Sequence, residues 1–194
     1  MGVILNICHL WIVGLWLVML AYWAIAAFFT RRTVDRGLDR SGLFMRLGIA
    51  VAVVASVMVV RRSPELSGLQ QAEFRSVPMA VAGALIASAG AALAFTARAV
   101  IGRNWGTPGS RKADTDLVTN GPYALVRHPI YGGVLVMMIG TAIGLIMTWW
   151  IMVVAAGSFF LYSARREERL MTERFPDIYP GYRERTKLLI PFVL

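Results

Sequence analysis

Long stretches without charge constrain this chain more than anything else in its sequence. Residues 3–29 hold no Asp, Glu, Lys or Arg, and as a helix they would reach about 40 Å, enough to cross a hydrocarbon core of about 30 Å with some tilt. Residues 130–162 are equally free of charge, but one helix of that length would reach about 50 Å and overshoot the bilayer. Thr148, Trp149 and Trp150 stand near the middle of this run. A polar residue and two aromatics suit a membrane interface, so the run reads as two short helices that turn back there. Residues 43–60, broken only by Arg46, form a short span that stops at Arg61-Arg62, and 77–101 form another.

The expected fold is therefore all-α, a polytopic integral membrane protein of five transmembrane helices with the last two forming a hairpin. It is expected to be a single unit over 1–194, with three spans in 1–101 and the catalytic part in 102–194. The first run carries the small-x-small pattern Ala24-Ile25-Ala26 of a signal-peptide cleavage site. No basic segment precedes it and it is too long for a signal core, so it is expected to stay as an anchor. In the third span Ala80, Ala84, Ser88, Ala92 and Thr96 recur every four residues. That spacing assigns them to one face for close packing, within the molecule in preference to a dimer. Gly140 and Gly144 serve the same purpose in the hairpin.

Composition agrees: 57% of the residues are hydrophobic, 16% are charged and the net charge is +9. In a soluble domain such a surplus would point to nucleic acid or an acidic partner; in a membrane protein it reports orientation. The segment before the first span has no Lys or Arg, the first loop has five, the second three, the third five (Arg98, Arg103, Arg111, Lys112, Arg127) and the tail seven. With the N-terminus outside, 17 of the 20 basic residues are cytoplasmic, as the positive-inside rule requires. The surplus then calls for no nucleic acid, and the expected partner is the bilayer.

The chemistry has few candidates. Cys8 is the only cysteine, and His9 and His128 are the only histidines, so an internal disulfide is impossible, a Cys-based metal cluster is excluded, and no metal is expected. His9, next to Cys8 in the first span, reads as a packed or interfacial histidine. Phosphate-loop, dinucleotide-fingerprint and nucleophile-elbow motifs are missing, which argues against ATP hydrolysis, Rossmann-type redox chemistry and Ser-hydrolase chemistry. What remains is polar sequence on the cytoplasmic side, 102–129 and 163–194.

In the first of these, Asn120-Gly121-Pro122 is a turn signal, and His128-Pro129 restrains the backbone just before the membrane helix resumes. Arg127 and His128 are thereby fixed at the interface beside Tyr123 and Tyr131. They serve either as a positive anchor within an aromatic belt or as part of a binding site. In the second, Glu167 and Glu168 extend the last helix out of the bilayer. They either pair with Arg165, Arg166 or Arg169 as a solvated face or bind a ligand's ammonium group.

Together these segments resemble the isoprenylcysteine carboxyl methyltransferase family and its phospholipid N-methyltransferase relatives. The resemblance rests on Leu117-Val118-x-x-Gly121-Pro122-Tyr123, Arg127-His128-Pro129-x-Tyr131, Glu167-Glu168, then Phe175, Tyr179, Tyr182 and Ile190-Pro191, with Gly102-x-Asn104-Trp105 upstream. It covers residues 100–194 and implies a membrane enzyme that uses S-adenosylmethionine without a Rossmann domain. By that resemblance, Leu117, Val118, Gly121 and Tyr123 line the cofactor pocket and Arg127, His128, Pro129 and Tyr131 form its membrane-side wall. Glu167 and Glu168 hold the methionine end, while Leu189, Ile190 and Pro191 close over the adenine. His128, Arg127 and Glu167 are the implied catalytic residues, and Asn104, Trp105 and Arg166 the implied substrate contacts.

The acceptor is lipophilic and enters sideways from the bilayer. An isoprenylcysteine carboxylate, already ionised, needs no general base, whereas a phospholipid amine or a small thiol does. Two other classes stay open. Sterol reductases have a similar tail and would use NADPH, and a non-catalytic membrane subunit would use the same charges only as anchors. The expected orientation is checked by a C-terminal reporter fusion, which should be active only in its cytoplasmic-reading form; activity restricted to the outside overturns the direction or the hairpin.

Overall fold

A computed structural model of the chain describes residues 2–28, 33–35, 76–105, 111–112, 116–145 and 149–190. The expected span at 43–60, together with Arg61-Arg62, Thr148 and Pro191, lies outside the described residues. The helices are α1 (Gly2–Phe28), α2 (Val77–Ile101), α3 (Pro129–Gly144), α4 (Trp149–Arg174) and α5 (Tyr179–Arg185). One 3₁₀ turn, Gly102–Asn104, follows α2, and another, Gly121–Ala124, precedes α3. The described residues depart from the all-helical expectation in a short antiparallel ribbon, Thr33–Asp35 (β1) against Arg111–Lys112 (β2).

Helices α1 and α2 are long and apolar enough to cross a membrane, and α3 is a shorter apolar helix. Most of the apolar side chains of α1, Leu10, Trp11 and Leu17 among them, are exposed, while Ile12 and Met19 are buried. Such a face suits lipid and not water. The uncharged run 130–162 is shared between α3 and α4: the first helix stops at Gly144 and the second opens at Trp149.

Helices α2 and α3 run antiparallel in backbone contact. A Cβ added at Gly90 would lie 2.3 Å from Met137 N, one at Gly140 2.3 Å from Ala87 N, one at Gly83 2.5 Å from the Gly144 backbone, and one at Gly133 2.7 Å from Ala94 N. The face that α2 buries is Ala80, Gly83, Ala87, Gly90, Ala91, Ala94 and Ala97, stepping by three and four residues. This corrects the every-fourth stripe read from the sequence, of which Ala80 is buried but Ala92 and Thr96 are exposed. A four-residue step overshoots a helical turn by about 40°, so that stripe winds off the interface, whereas alternating three and four keeps the small residues on it.

Helix α1 completes the core through Ile12 and Met19 against Ala87, Ala91, Ala94 and Met137. Its tryptophans donate across the interface, Trp11 Nε1 to Ser88 Oγ (2.9 Å) and Trp16 Nε1 to Thr141 Oγ1 (3.1 Å). The contacts Trp11–Ser88, Tyr22–Phe95 and Arg98–Ala26 show that α1 and α2 run parallel. Helix α4 begins beside Trp16 and returns along α3, reaching Tyr131 with Phe160. The C-terminal ends of α1, α2 and α4 and the N-terminal end of α3 therefore lie on one side.

Because the contact at Gly140 is with backbone, which cannot turn aside, Gly140→Val should destabilise the protein by about 3 kcal/mol. At Gly157 an added Cβ would lie 3.8 Å from Leu135 Cδ2, so Gly157→Ala should be neutral or mildly stabilising. Thermal unfolding of both variants in the same detergent checks the contrast.

Candidate functional site

The site is assembled where the turn before α3 meets the far end of α4. Gly121 has φ +57°, a conformation only glycine adopts without strain. It starts the 3₁₀ turn that buries Tyr123. The extended residues Leu117 and Val118 lead into this turn half-buried. Pro129 opens α3 and holds His128 at φ −125°, ψ 60°, outside the helical region.

The backbone just before α3 is paired in parallel with the tail. Arg127 N donates to Lys187 O (2.8 Å), His128 N to Leu188 O (3.0 Å), and Lys187 N to Leu125 O (3.1 Å). Behind this pairing Leu188 and Leu189 are buried with Ala164, against Tyr131 and Leu161. A Cβ at Gly132 would lie 2.7 Å from Leu189 O, so the tail backbone rests directly on the first turn of α3. Ile190 is exposed, and Pro191 lies outside the described residues.

On these supports two adjacent pairs meet, each residue of one finding a different partner in the other. Arg127 Nε donates to Glu168 Oε1, and Nη1 donates to the carbonyls of Thr186 and Arg183 (3.1 Å for the latter). Glu168 is buried, with Arg183 Nε 4.0 Å from its second oxygen. His128 Nδ1 lies 3.5 Å from Glu167 Oε2, and Tyr131 OH donates to Glu167 Oε1 at 2.7 Å. The rings of His128, Tyr131 and Phe160 stack, with centroids 5.5 and 4.7 Å apart and planes within 7°.

The two carboxylates thus have different surroundings. Glu168 is compensated by a guanidinium and ties α4 to the tail. Glu167, with 23% of its side chain exposed, touches a phenol and an imidazole. The other imidazole nitrogen, His128 Nε2, is buried without a partner among the described residues, which is unusual for a buried polar atom.

A second layer keeps the pocket wall neutral. Tyr182 OH donates to Tyr123 O at 2.6 Å, and burial pushes its phenol up to about 12. Burial likewise raises the phenols of Tyr123 and Tyr179 well above the ordinary tyrosine value. All three stay protonated at any physiological pH, so Tyr182 remains a donor.

The structure brings together Tyr123, Arg127, His128, Pro129, Tyr131, Glu167, Glu168 and Leu189. Asn104 and Trp105 stand apart from Glu167, after the end of α2, where Trp105 lies 4.7 Å from the Arg98 guanidinium. Arg166 is half-buried on α4. Sequence reasoning missed Phe160, whose only signal is its place on the α4 face that also carries Ala164 and Glu167. It missed Arg98 too, counted as a loop charge though it is buried within the last turn of α2. A charge inside an apolar run was the signal.

The family described as phospholipid methyltransferase matches residues 78–178, more than half of the chain. The chain belongs to this family. The same family includes the isoprenylcysteine-type membrane methyltransferases. The match runs from the start of α2 through α4 and takes in both residue pairs of the site. A comparison with curated proteins found no match.

Removing Glu168 leaves Arg127 buried and unpaired, which costs about 3–5 kcal/mol. Glu168→Ala should therefore lower thermal stability far more than Glu167→Ala. Adding Arg127→Met to Glu168→Ala should recover part of the loss, while the Thr186 and Arg183 carbonyls remain without their donor. Equal losses for the two glutamates, measured by thermal unfolding in detergent, would contradict the division of roles.

Proposed function

We propose that the chain is an S-adenosylmethionine-dependent methyltransferase of the membrane, acting on an amphiphile that reaches the site sideways from the bilayer. The observation that carries this reading is Glu167, a partly exposed carboxylate that faces a phenol and an imidazole, beside a stack of three aromatic rings. S-adenosylmethionine, when bound, supplies a methyl group on a sulfonium centre, and it also carries an ammonium group and a carboxylate. Glu167 and the faces of the ring stack fit its cationic part. The turn at Gly121 and Tyr123, with Leu117 and Val118 before it and Leu189 and Ile190 in the tail, would cover the adenosine. Glu168 and Arg127 hold that cover in place, so their part is in positioning.

The same geometry bears on the acceptor. Methyl transfer needs alignment and a dry site, and an acceptor that loses a proton also needs a base. His128 Nδ1 faces Glu167 Oε2 at 3.5 Å; with the proton held on that nitrogen, Nε2 would be the one to take a proton from an acceptor. A carboxylate such as that of an isoprenylcysteine makes no use of such a base. An amine or thiol does, and the family's description points the same way. We therefore place membrane amines and lipophilic thiols ahead of the carboxylate.

Residues 1–194 are read as one membrane-embedded unit with its N-terminus outside and its site and C-terminus cytoplasmic. Since α1 and α2 are parallel, the chain joining them starts on one side and ends on the other, which accords with five spans whose last two form a hairpin. The ribbon of β1 and β2 brings the first and third loops to the same side, as that topology requires.

Isothermal titration with S-adenosylhomocysteine tests the cofactor: the protein should bind it, and Glu167→Gln should weaken it by about tenfold or more. Absence of binding by folded protein would remove the reading. For the base, His128→Gln should slow methylation of an amine or thiol by at least about 100-fold at saturating cofactor, a loss beyond any weakening of cofactor binding from the missing ring. Mass analysis of membranes incubated with methyl-labelled cofactor identifies the acceptor; an isoprenylcysteine methyl ester as the sole product would overturn the ranking.

A further inference from the structure

The turn that ends α2 holds a cation the site described above does not use. Arg98 is 3% exposed. Its Nη1 donates to Gly102 O (2.7 Å) and its Nη2 to Ala26 O (3.2 Å), while the Trp105 ring lies 4.7 Å from its guanidinium carbon. Its Nε is buried and has no partner among the described residues. No carboxylate pairs with it among the described residues. A guanidinium has five N–H donors, and two carbonyls engage two of them.

Part of the arrangement is structural. Gly102 O and Ala26 O belong to the C-terminal ends of α2 and α1, where helix dipoles place negative partial charge, and one cation between them joins the two ends. Two carbonyls do not neutralise a full charge taken out of water. A second group lies close by in sequence: Asn104 Oδ1 is also buried, without a partner among the described residues. The Asn104 amide nitrogen donates to Asp116 O at 3.5 Å; turned over, the amide would exchange that bond for a donor at the Oδ1 position.

The position of this cation relative to the proposed methyl-transfer site is informative. A Cβ at Gly133 would lie 2.7 Å from Ala94 N, so in this antiparallel pair the next turn of α2, which carries Arg98, stands level with Pro129 and beside His128. A ligand lying along this junction would meet a positive pole at Arg98 and the base and carboxylate at His128 and Glu167.

We infer that Arg98, with Trp105 and Asn104, is the acceptor's anion subsite. It takes the phosphate or carboxylate of an amphiphile whose nucleophilic group is placed at His128. This assignment rests on the methyltransferase reading and adds to it that the acceptor carries a negative charge next to the atom that is methylated. A neutral amine or thiol of the same chain length would lack half of its recognition.

The test uses full-length protein in alkyl maltoside micelles, which contain no phosphate, with hexadecyl phosphate, hexadecanol and inorganic phosphate as probes. Wild type should bind hexadecyl phosphate at least about tenfold more tightly than hexadecanol, the increment of a charge-assisted contact. Arg98→Gln should abolish that preference, and Arg98→Lys, which keeps the charge and loses the fork, should retain part of it. S-adenosylhomocysteine affinity should stay within about twofold in both variants, a readout that a purely helix-joining arginine would also leave in place only if the protein stays folded. Equal binding of both amphiphiles by wild type overturns the proposal without any variant, as does a preference that survives Arg98→Gln. Competition by inorganic phosphate at concentrations equal to the amphiphile assigns the subsite to a free anion and overturns its role in acceptor binding. A phosphate preference that depends on Arg98 in a protein that fails to bind S-adenosylhomocysteine would support the anion site and sink the methyltransferase reading, so the two can fail separately.

Discussion

Everything at the site depends on how closely α2 and α3 approach each other. Their glycines and alanines let backbone meet backbone along the interface from Gly83 and Gly144 at one end to Ala94 and Gly133 at the other. In a lipid environment apolar side chains gain nothing by leaving one another's company for the bilayer, and close contact of this kind supplies van der Waals attraction that lipid cannot match. The contact also sets a register. It brings His128 and the first turn of α3, which Pro129 opens, level with the last turn of α2 and so with Arg98. The turn at Gly121 then has only a short distance to cover and packs on Val100, whose Cγ2 would lie 3.2 Å from a Cβ at Gly121.

The tail depends on a different interaction. Only a few residues link it to α3, through the parallel pairing of 125–128 with 187–188, and short parallel pairing is weak by itself. The Arg127 side chain strengthens it by reaching past its own backbone pair to two tail carbonyls and to Glu168 on α4. One guanidinium thus binds three segments, and its planar fork suits that task better than an ammonium would. The neighbouring Glu167 side chain makes no such tie to the tail and meets Tyr131 and His128 instead. Adjacent glutamates thus have different surroundings.

Much of this was legible in the sequence, and the exceptions have physical causes. The lengths of uncharged runs foretold where helices stop, because hydrocarbon thickness limits them, and Trp149 does open α4 as its interface character suggested. The turn at Gly121 followed from residue chemistry alone. The packing face of α2 was misread because its small residues occur at nearly every position. Several stripes can be drawn, and only the partner helix selects among them. Which glutamate meets which member of the Arg127-His128 pair depends on the rotation of α4 about its axis, a tertiary quantity. The Thr186 and Arg183 carbonyls that Arg127 reaches are backbone groups, which no side-chain pattern announces. Arg98 was misplaced for a simpler reason: an arginine four residues from the end of an apolar run looks like an interfacial charge, whereas here α1 and Trp105 enclose it.

Enclosure of Arg98 also shows how charge is accommodated beside apolar helices. Each charge at the site has a distinct local compensation: Arg127 has Glu168, Arg98 has the ends of two helices, and Glu167 has a phenol and an imidazole. The remainder is one positive pole at the end of α2 and one negative pole on α4. In a medium of low polarity such residual poles act over longer distances than they would in water, so on the proposed reading an amphiphile whose head carries complementary charges would be oriented by them while its tail stays in lipid. The exposed apolar surface of α1 and the buried charges at its end would then be parts of one arrangement, the bilayer holding the acceptor's tail and the protein its head.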